Sequence, residues 1–228
     1  MCQQQSRMKK SFFITGTDTG VGKTCATVAL MQYFKQQGQS VVGMKPVAAG
    51  CEWLDGQLKN EDALLIQKNA SIQLPYEKIN PYAFELPISP HLAGKNNPVQ
   101  INTVVQYFND LSNIADVVLV EGAGGWLAPI NKNEDIGDLA KALDIPVILV
   151  VAVKLGCINH AKLTFQALVS AGVECSGWLA ICIDPKMLKI DENISTLQNQ
   201  ISVPLLGVFP YMKKMDFTAL STKIIKVI

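Results

Sequence analysis

The apolar positions of this chain gather into short, nearly unbroken runs, separated by stretches in which they recur at helical intervals. The runs lie at 11–15, where Phe12-Phe13-Ile14 carry the apolar character, and at 40–44, 116–121, 146–151, 177–183 and 204–208, where Val, Ile and Leu supply most of it. Such runs read as strands covered on both faces, because a strand with one wet face alternates instead. Helical spacing follows the glycine-rich turn to about Gln37, and recurs over 60–67, 101–111, 135–143, 159–171 and 194–200, then in the tail 217–227. Gly38 and Gly172 are natural stops for two of these helices. Strand and helix in alternation predict an α/β protein, a single-domain doubly wound fold with a mainly parallel sheet.

Three segments break the rhythm. Residues 45–50, Lys-Pro-Val-Ala-Ala-Gly, read as a loop packed beside a ligand, with Lys45 at the edge of the preceding strand. Residues 51–58 read as a surface loop. Between 74 and 98 lie Pro75, Pro81, Pro87, Pro90 and Pro98, with Tyr76, Tyr82 and Phe84 among them. That mixture is too apolar for a linker and too proline-rich for a long element; it reads either as a folded excursion lining a site or as a structural wrap. Residues 1–10 are polar and read as a disordered N-terminal extension to a domain spanning 11–228, without the apolar stretch of a leader or anchor.

Candidate chemistry begins at Gly16-Thr17-Asp18-Thr19-Gly20-Val21-Gly22-Lys23-Thr24. Strand, glycine-rich turn and helix form the context in which a phosphate-binding loop works, so the fold acquires P-loop NTPase architecture. Amides from Thr19, Gly20, Val21, Gly22, Lys23, Thr24 and Cys25 then surround the anion at a helix start, with the dipole adding to the attraction. Lys23 reaches the β- and γ-phosphates and the Thr24 hydroxyl holds Mg²⁺. Strict spacing would place the first glycine at Thr17; Gly16 is one residue early. Glu121 closes a buried run and precedes Gly122-Ala123-Gly124-Gly125, which suits a Walker-B acid binding Mg²⁺ directly or through water. Asp62 alone would be a helix-start acid. These residues reach as far as a magnesium–nucleotide site with one extra lysine.

Composition narrows the classes without changing this picture. The 228 residues carry a net charge of +1, so no overall field draws the chain to nucleic acid or anionic membrane. The six cysteines form no C-x-x-C pair and several lie in apolar runs, as reduced thiols of a cytoplasmic protein do. His91 and His160 read as structural, and Trp126 as core.

Over nearly its whole length the chain resembles the dethiobiotin synthetase family. The resemblance rests on the loop 15–24, Lys45-Pro46-Val47-Ala48, Asn60 with Asp62-Ala63, Asn80-Pro81-Tyr82 and Ser89-Pro90-His91. It continues through Val120-Glu121-Gly122-Ala123-Gly124-Gly125-Trp126, residues 146–151, Val153-Lys154-Leu155-Gly156-Cys157-Ile158-Asn159-His160 and Pro204-Leu205-Leu206-Gly207. It implies closure of a cyclic urea on 7,8-diaminononanoate with CO₂ and MgATP, through a carbamate and a carbamic–phosphoric anhydride. It implies Lys23 and Lys45 as catalytic cations, Thr24, Asp62 and Glu121 as Mg²⁺ ligands, and Thr19, Lys45, Ala49 and Gly124 at the substrate. It further implies a homodimer in which Gly156, Cys157, Ile158 and Asn159 of a second subunit hold the substrate carboxylate. Asn159 also reads as a plain helix N-cap, and both roles are compatible.

Three departures stand out. Gly20 occupies a position where some family members carry an acid, and Ala49 one where some carry a serine. Many members place an Asn-Asp pair after the equivalent of Trp178-Leu179-Ala180, the Asn reading adenine; here Ile181-Cys182 follow. Ile181 has no side-chain hydrogen bond to offer, which leaves base recognition to backbone groups near Pro204, Leu205 and Pro210. Two other readings remain: a nucleotide-switch or partitioning ATPase, although the early loop lysine of that class is absent at Asp18-Thr19-Gly20, and a related amide-forming ligase.

Overall fold

A strand buried on both faces needs helices above and below it, and the most apolar runs obey this rule. The computed structural model describes residues 9–227, so the expectation of a disordered extension falls, for residues 1–8, outside the described residues. Lys10, assigned to that extension, instead opens β1 (Lys10–Gly16). After β1 come α1 (Lys23–Gln36), β2 (Val41–Met44), β3 (Val47–Ala49), β4 (Glu52–Leu54), β5 (Gln57–Lys59) and α2 (Glu61–Asn69). The proline-rich stretch supplies α3 (Tyr76–Ile79), β6 (Tyr82–Phe84) and α4 (Pro90–Ala93). Then follow α5 (Ile101–Ile114), β7 (Val117–Glu121), α6 (Ile136–Leu143), β8 (Val147–Val153), α7 (Cys157–Ser170), β9 (Cys175–Cys182), α8 (Ile190–Gln200), β10 (Leu205–Phe209) and α9 (Phe217–Ser221).

Six strands pair in the order β10-β9-β8-β1-β7-β2, every pairing parallel. From β1 the chain builds first to one side, with β2 and β7, and then to the other, with β8, β9 and β10. The reversal at β1 is the topological switch point, outside whose carboxyl end ligands bind in such sheets. All of β7 and β8 is buried, which explains their lack of alternation. Gly43 in β2 brings α2 close, since a Cβ there would collide with Ile66 of that helix. The approach of α2 carries Asp62 to the edge of the sheet.

Five expectations need correction. Residues 45–50 are not all loop, because β3 pairs in parallel with β6. A three-residue strand rich in alanine owes its form to its partner, which local propensity does not reveal. Residues 51–58 are not a plain loop but contribute to the antiparallel hairpin β4–β5. The tail is helical only over Phe217–Ser221; Ile224 then bridges to Gly207 as an added antiparallel contact. The helix expected from Asn159 starts at Cys157 with Gly156 as its N-cap, so Asn159 lies inside the first turn and is not the cap. The helix expected over 194–200 begins earlier, at Ile190.

Candidate active site

The carboxyl edge of the sheet assembles the candidate residues by register alone. Ile14 of β1 pairs with Glu121 of β7, and Met44 of β2 pairs with Val120, so Lys45 emerges beside Glu121. The loop that leaves β1 turns into α1 at Gly22, whose φ of +93° belongs to the left-handed region that glycine enters without strain. A Cβ on Gly22 would also stand 3.0 Å from Cγ2 of Ile181, at the end of β9. The α1 start has neither a side-chain cap nor an acid in its first turn. By contrast α2 has both: Asn60 Oδ1 accepts from Asp62 N and Ala63 N, and Glu61 and Asp62 stand in the first turn. The free amides of α1 therefore remain available to an external anion.

The charged groups form one connected set. Lys45 Nζ donates to Glu121 Oε1 at 2.6 Å and to Asp62 Oδ2 at 2.7 Å. Thr24 Oγ1 donates to the same Glu121 oxygen at 2.8 Å. Lys23 Nζ curls back over the loop to the carbonyls of Asp18 and Gly124, at 2.8 and 2.6 Å. Glu121 is fully buried, and its Oε2 finds no hydrogen-bond partner among the described residues. A buried carboxylate oxygen without a partner is costly unless it meets a cation.

Burial pulls the Lys23 pKa down to about 8, Glu121 opposes that, and the Lys45 charge adds to it. Burial also acts against the Lys45 charge, but Glu121 and Asp62 outweigh it and hold that ammonium above the ordinary lysine value. For Asp62, burial works to raise the pKa and Lys45 overcomes it, keeping the carboxyl below its usual range. Two lysines and two acids thus share one small volume, whose cations could take anionic oxygens and whose acids could take a hard cation.

These residues face a cleft of about 680 Å³. Of the residues singled out in the sequence, Thr19, Gly20, Gly22, Lys23, Thr24, Lys45, Ala49, Asp62, Glu121 and Gly124 line it. Val21 does not; its side chain is buried in the core beneath the loop. Cys25 points elsewhere, with Sγ 3.9 Å from Met215 Sδ, and burial pushes its thiol up to about 11. Pro210 follows β10 at the carboxyl edge of the sheet but does not line the cleft, and Pro204 and Leu205 stand at the start of that strand. In a parallel sheet that start lies at the edge away from the phosphate loop, so these two are misplaced for nucleotide contact. The parallel sheet read from the sequence already puts the start of the 204–208 run at that far edge, so of these three residues only Pro210, beyond its end, was consistent with it. Gly156, Cys157, Ile158 and Asn159 form the start of α7 and do not line this cleft.

Residues given no site role from the sequence complete the wall: Asn60, Pro87, Ile88, Ser89, Pro90 and Ala123 among them. Asn60 was detectable, since Asn before Glu-Asp and an apolar run is a helix-start signal. The 87–90 wall shows that the proline-rich excursion lines the cleft. All five cysteines among the described residues are free thiols. No group of three or more His, Cys, Asp or Glu able to hold a metal occurs among the described residues. No described helix is long and apolar enough to cross a membrane.

Known proteins resemble this chain both in sequence and in fold. A family model described as an AAA domain matches residues 10–219. The ATP-dependent dethiobiotin synthetase BioD of Xanthomonas oryzae pv. oryzae (strain PXO99A) is 44% identical over 211 residues, covering 92% of this chain and 94% of that protein. The protein of the same name from Nitrosospira multiformis is 46% identical over 217 residues, covering 94% of each. Among solved structures, the MinC:MinD cell division complex of Aquifex aeolicus aligns with TM-score 0.59 at 19% identity, covering 93% of this chain and 86% of that one. The cell division ATPase MinD of Pyrococcus furiosus aligns with TM-score 0.58 at 15% identity, covering 95% and 96%. At such identities these structures speak for the fold alone.

Proposed function

The chain belongs to the ATP-dependent dethiobiotin synthetase family, and from that premise we propose how its residues divide the work. It is an ATP-dependent ligase of biotin synthesis. In the proposed course, one amine of 7,8-diaminononanoate adds to CO₂ and loses a proton, giving a carbamate. A carbamate oxygen attacks the γ-phosphorus and ADP departs; the second amine then attacks the carbamoyl carbon, phosphate departs and takes the proton that the nitrogen sheds, and the ring closes. Each step gathers negative charge between the phosphoryl group and the carbamate. The protein's contribution is therefore in-line placement and cation supply more than a strong base.

Lys23 takes the β- and γ-phosphate oxygens, and Lys45 stands between the γ-phosphoryl group and the carbamate. Thr24, Asp62 and Glu121 would hold Mg²⁺, which would supply neutralisation of the phosphate charge. The unpartnered Oε2 of Glu121 supports that assignment. So does the small number of protein donors, since Mg²⁺ usually takes one or two carboxylates and fills its other positions with water and phosphate. Thr19 and Gly124 touch substrate or phosphate, and Ala49 provides a wall without the hydroxyl found in some members. Gly156, Cys157, Ile158 and Asn159 of a second subunit hold the substrate carboxylate at a helix start, in a homodimer. Reduced thiols fit a cytoplasmic setting.

The observation that carries this reading is the Lys45 ammonium bonded at once to Glu121 and Asp62 beside the phosphate loop. The test is incubation with 7,8-diaminononanoate, bicarbonate and ATP, with and without Mg²⁺, and detection of dethiobiotin by mass. Product that forms only with Mg²⁺ supports the reading. Undiminished product in excess chelator would end the metal assignment.

A further inference from the structure

Asn80 lies behind the cleft, 3% exposed, yet every polar atom of its side chain is engaged. Its Nδ2 donates to the Lys45 carbonyl at 2.7 Å and to the Tyr82 carbonyl at 3.3 Å. Its Oδ1 accepts from the Tyr76 hydroxyl at 2.9 Å. The Tyr76 oxygen in turn accepts the Asn60 amide at 2.7 Å. Asn60 Oδ1 then accepts the Asp62 amide at 3.1 Å. An unbroken series of hydrogen bonds thus runs from the backbone of Lys45 to that of Asp62, behind the two side chains that meet at 2.7 Å in front.

The network leaves no donor idle. A phenol has one proton to give and an amide has two donors on nitrogen; all three donors are used here. Burial pushes the Tyr76 pKa up to about 12, so the phenol keeps its donor proton. The short helix α3 is the clasp: Ile79 O also accepts the Lys45 amide at 2.9 Å, and Tyr82 N donates to Pro46 O at 3.0 Å. Lys45 lies just beyond the last residue of β2, where the sheet ladder no longer holds the backbone. Its orientation is set instead by this clasp.

We propose that Tyr76 and Asn80 are positioning residues, which hold the Lys45 ammonium and the Asp62 carboxylate at their working separation through the hydrogen bonds Asn80–Lys45, Tyr76–Asn80 and Tyr76–Asn60. This rests on the roles given above to Lys45 and Asp62. It differs from simple packing because what it transmits is geometry at the cleft, where small misplacement costs rate more than binding.

The experiment compares Tyr76→Phe, which keeps the ring and deletes the hydroxyl, with Ile79→Val in the same clasp, at a temperature well below unfolding of either. Asn80→Asp, isosteric but unable to donate to Lys45, is the second network variant. Lys45→Ala is measured in parallel. Tyr76→Phe and Asn80→Asp are expected to lower kcat about tenfold or more, with KM for ATP within about twofold of wild type, while Ile79→Val keeps its kcat. A kcat within about twofold of wild type in either folded network variant would overturn the proposal, and so would an equal loss in Ile79→Val. Inactive Lys45→Ala beside a normal Tyr76→Phe would overturn this inference alone. An active Lys45→Ala would overturn the role of Lys45 and the inference together.

Discussion

Lys45 Nζ lies 2.6 Å from Oε1 of Glu121, and that carboxylate has no exposure to solvent. The lysine is thus the counter-cation for a charge that water cannot reach. Lys45→Met removes it and leaves the buried carboxylate without its bonded cation, with the Thr24 hydroxyl still donating to it, a change that costs about 3–5 kcal/mol where a buried pair is broken from one side. Thermal unfolding of the variant should show that loss, and added MgCl₂ should recover more stability in the variant than in wild type. A Lys45→Met protein as stable as wild type without Mg²⁺ would mean that Glu121 does not need the pair.

The two acids are not equivalent. The Asp62 side chain is 45% exposed and Glu121 is fully buried with a spare oxygen. Charge placed in a water-excluded position counts for more, so Glu121→Gln should lower turnover by about 10²-fold or more. Asp62→Asn should lower it by less. Rates at rising Mg²⁺ concentration check the ranking, and a larger loss in Asp62→Asn would reverse the assignment of the principal ligand.

The site was legible in the sequence where a single local pattern encodes it. Gly22-Lys23-Thr24 after a strand and Glu121 at the end of one announce themselves by their neighbours. The hairpin β4–β5 was legible too but passed over: Asp55-Gly56, both with positive φ, between Trp53-Leu54 and Gln57-Leu58 is the pattern of a two-residue turn. What could not be read depends on long-range partners. β3 exists because β6 lies beside it, and the link from Asn80 to Lys45 spans 35 positions. The misplacement of Pro204 and Leu205 has a different origin: the parallel sheet expected from the alternation already put the start of the 204–208 run at the edge opposite the phosphate loop.

Glycines in the phosphate loop separate two kinds of constraint. Gly20 has φ +71° with open space where a Cβ would go, and Gly22 has φ +93° with Ile181 at 3.0 Å. Gly20→Ala should therefore cost only backbone strain, about 1 kcal/mol, and retain ATP binding. Gly22→Ala should lose more stability and weaken ATP binding at least about tenfold, because the loop must shift away from Ile181. Calorimetric titration with ATP and thermal unfolding of both variants decide this. Equal effects would show that the Ile181 contact is unimportant.

Ile181, 5% exposed at the end of β9, presents only carbon toward the loop. Wild-type enzyme is therefore expected to use GTP within about tenfold of its efficiency with ATP, since no side chain there distinguishes the bases. Ile181→Asn supplies a donor and an acceptor and should raise the ATP over GTP preference about fivefold, the size of one net hydrogen bond. Comparison of kcat/KM for the two nucleotides reads this out. Strong rejection of GTP by wild type would transfer base recognition to other groups.

The start of α7 gives the test of the assembly. Residues 156–159 do not line the cleft of their own chain, and the neighbouring Leu155 is 95% exposed. If this helix start serves a second subunit's cleft, a Lys23→Ala subunit and an Asn159→Asp subunit each supply what the other lacks. In the mixed dimer one cleft carries both defects and the other carries none, so doubly tagged heterodimers should recover about half of wild-type turnover. Either parent homodimer should stay nearly inactive. The first lacks a phosphate cation; in the second, the carboxylate introduced by Asn159→Asp repels the carboxylate of the substrate. Heterodimers no more active than their parents would show that each cleft is built from one chain, and so would full activity in the Asn159→Asp homodimer.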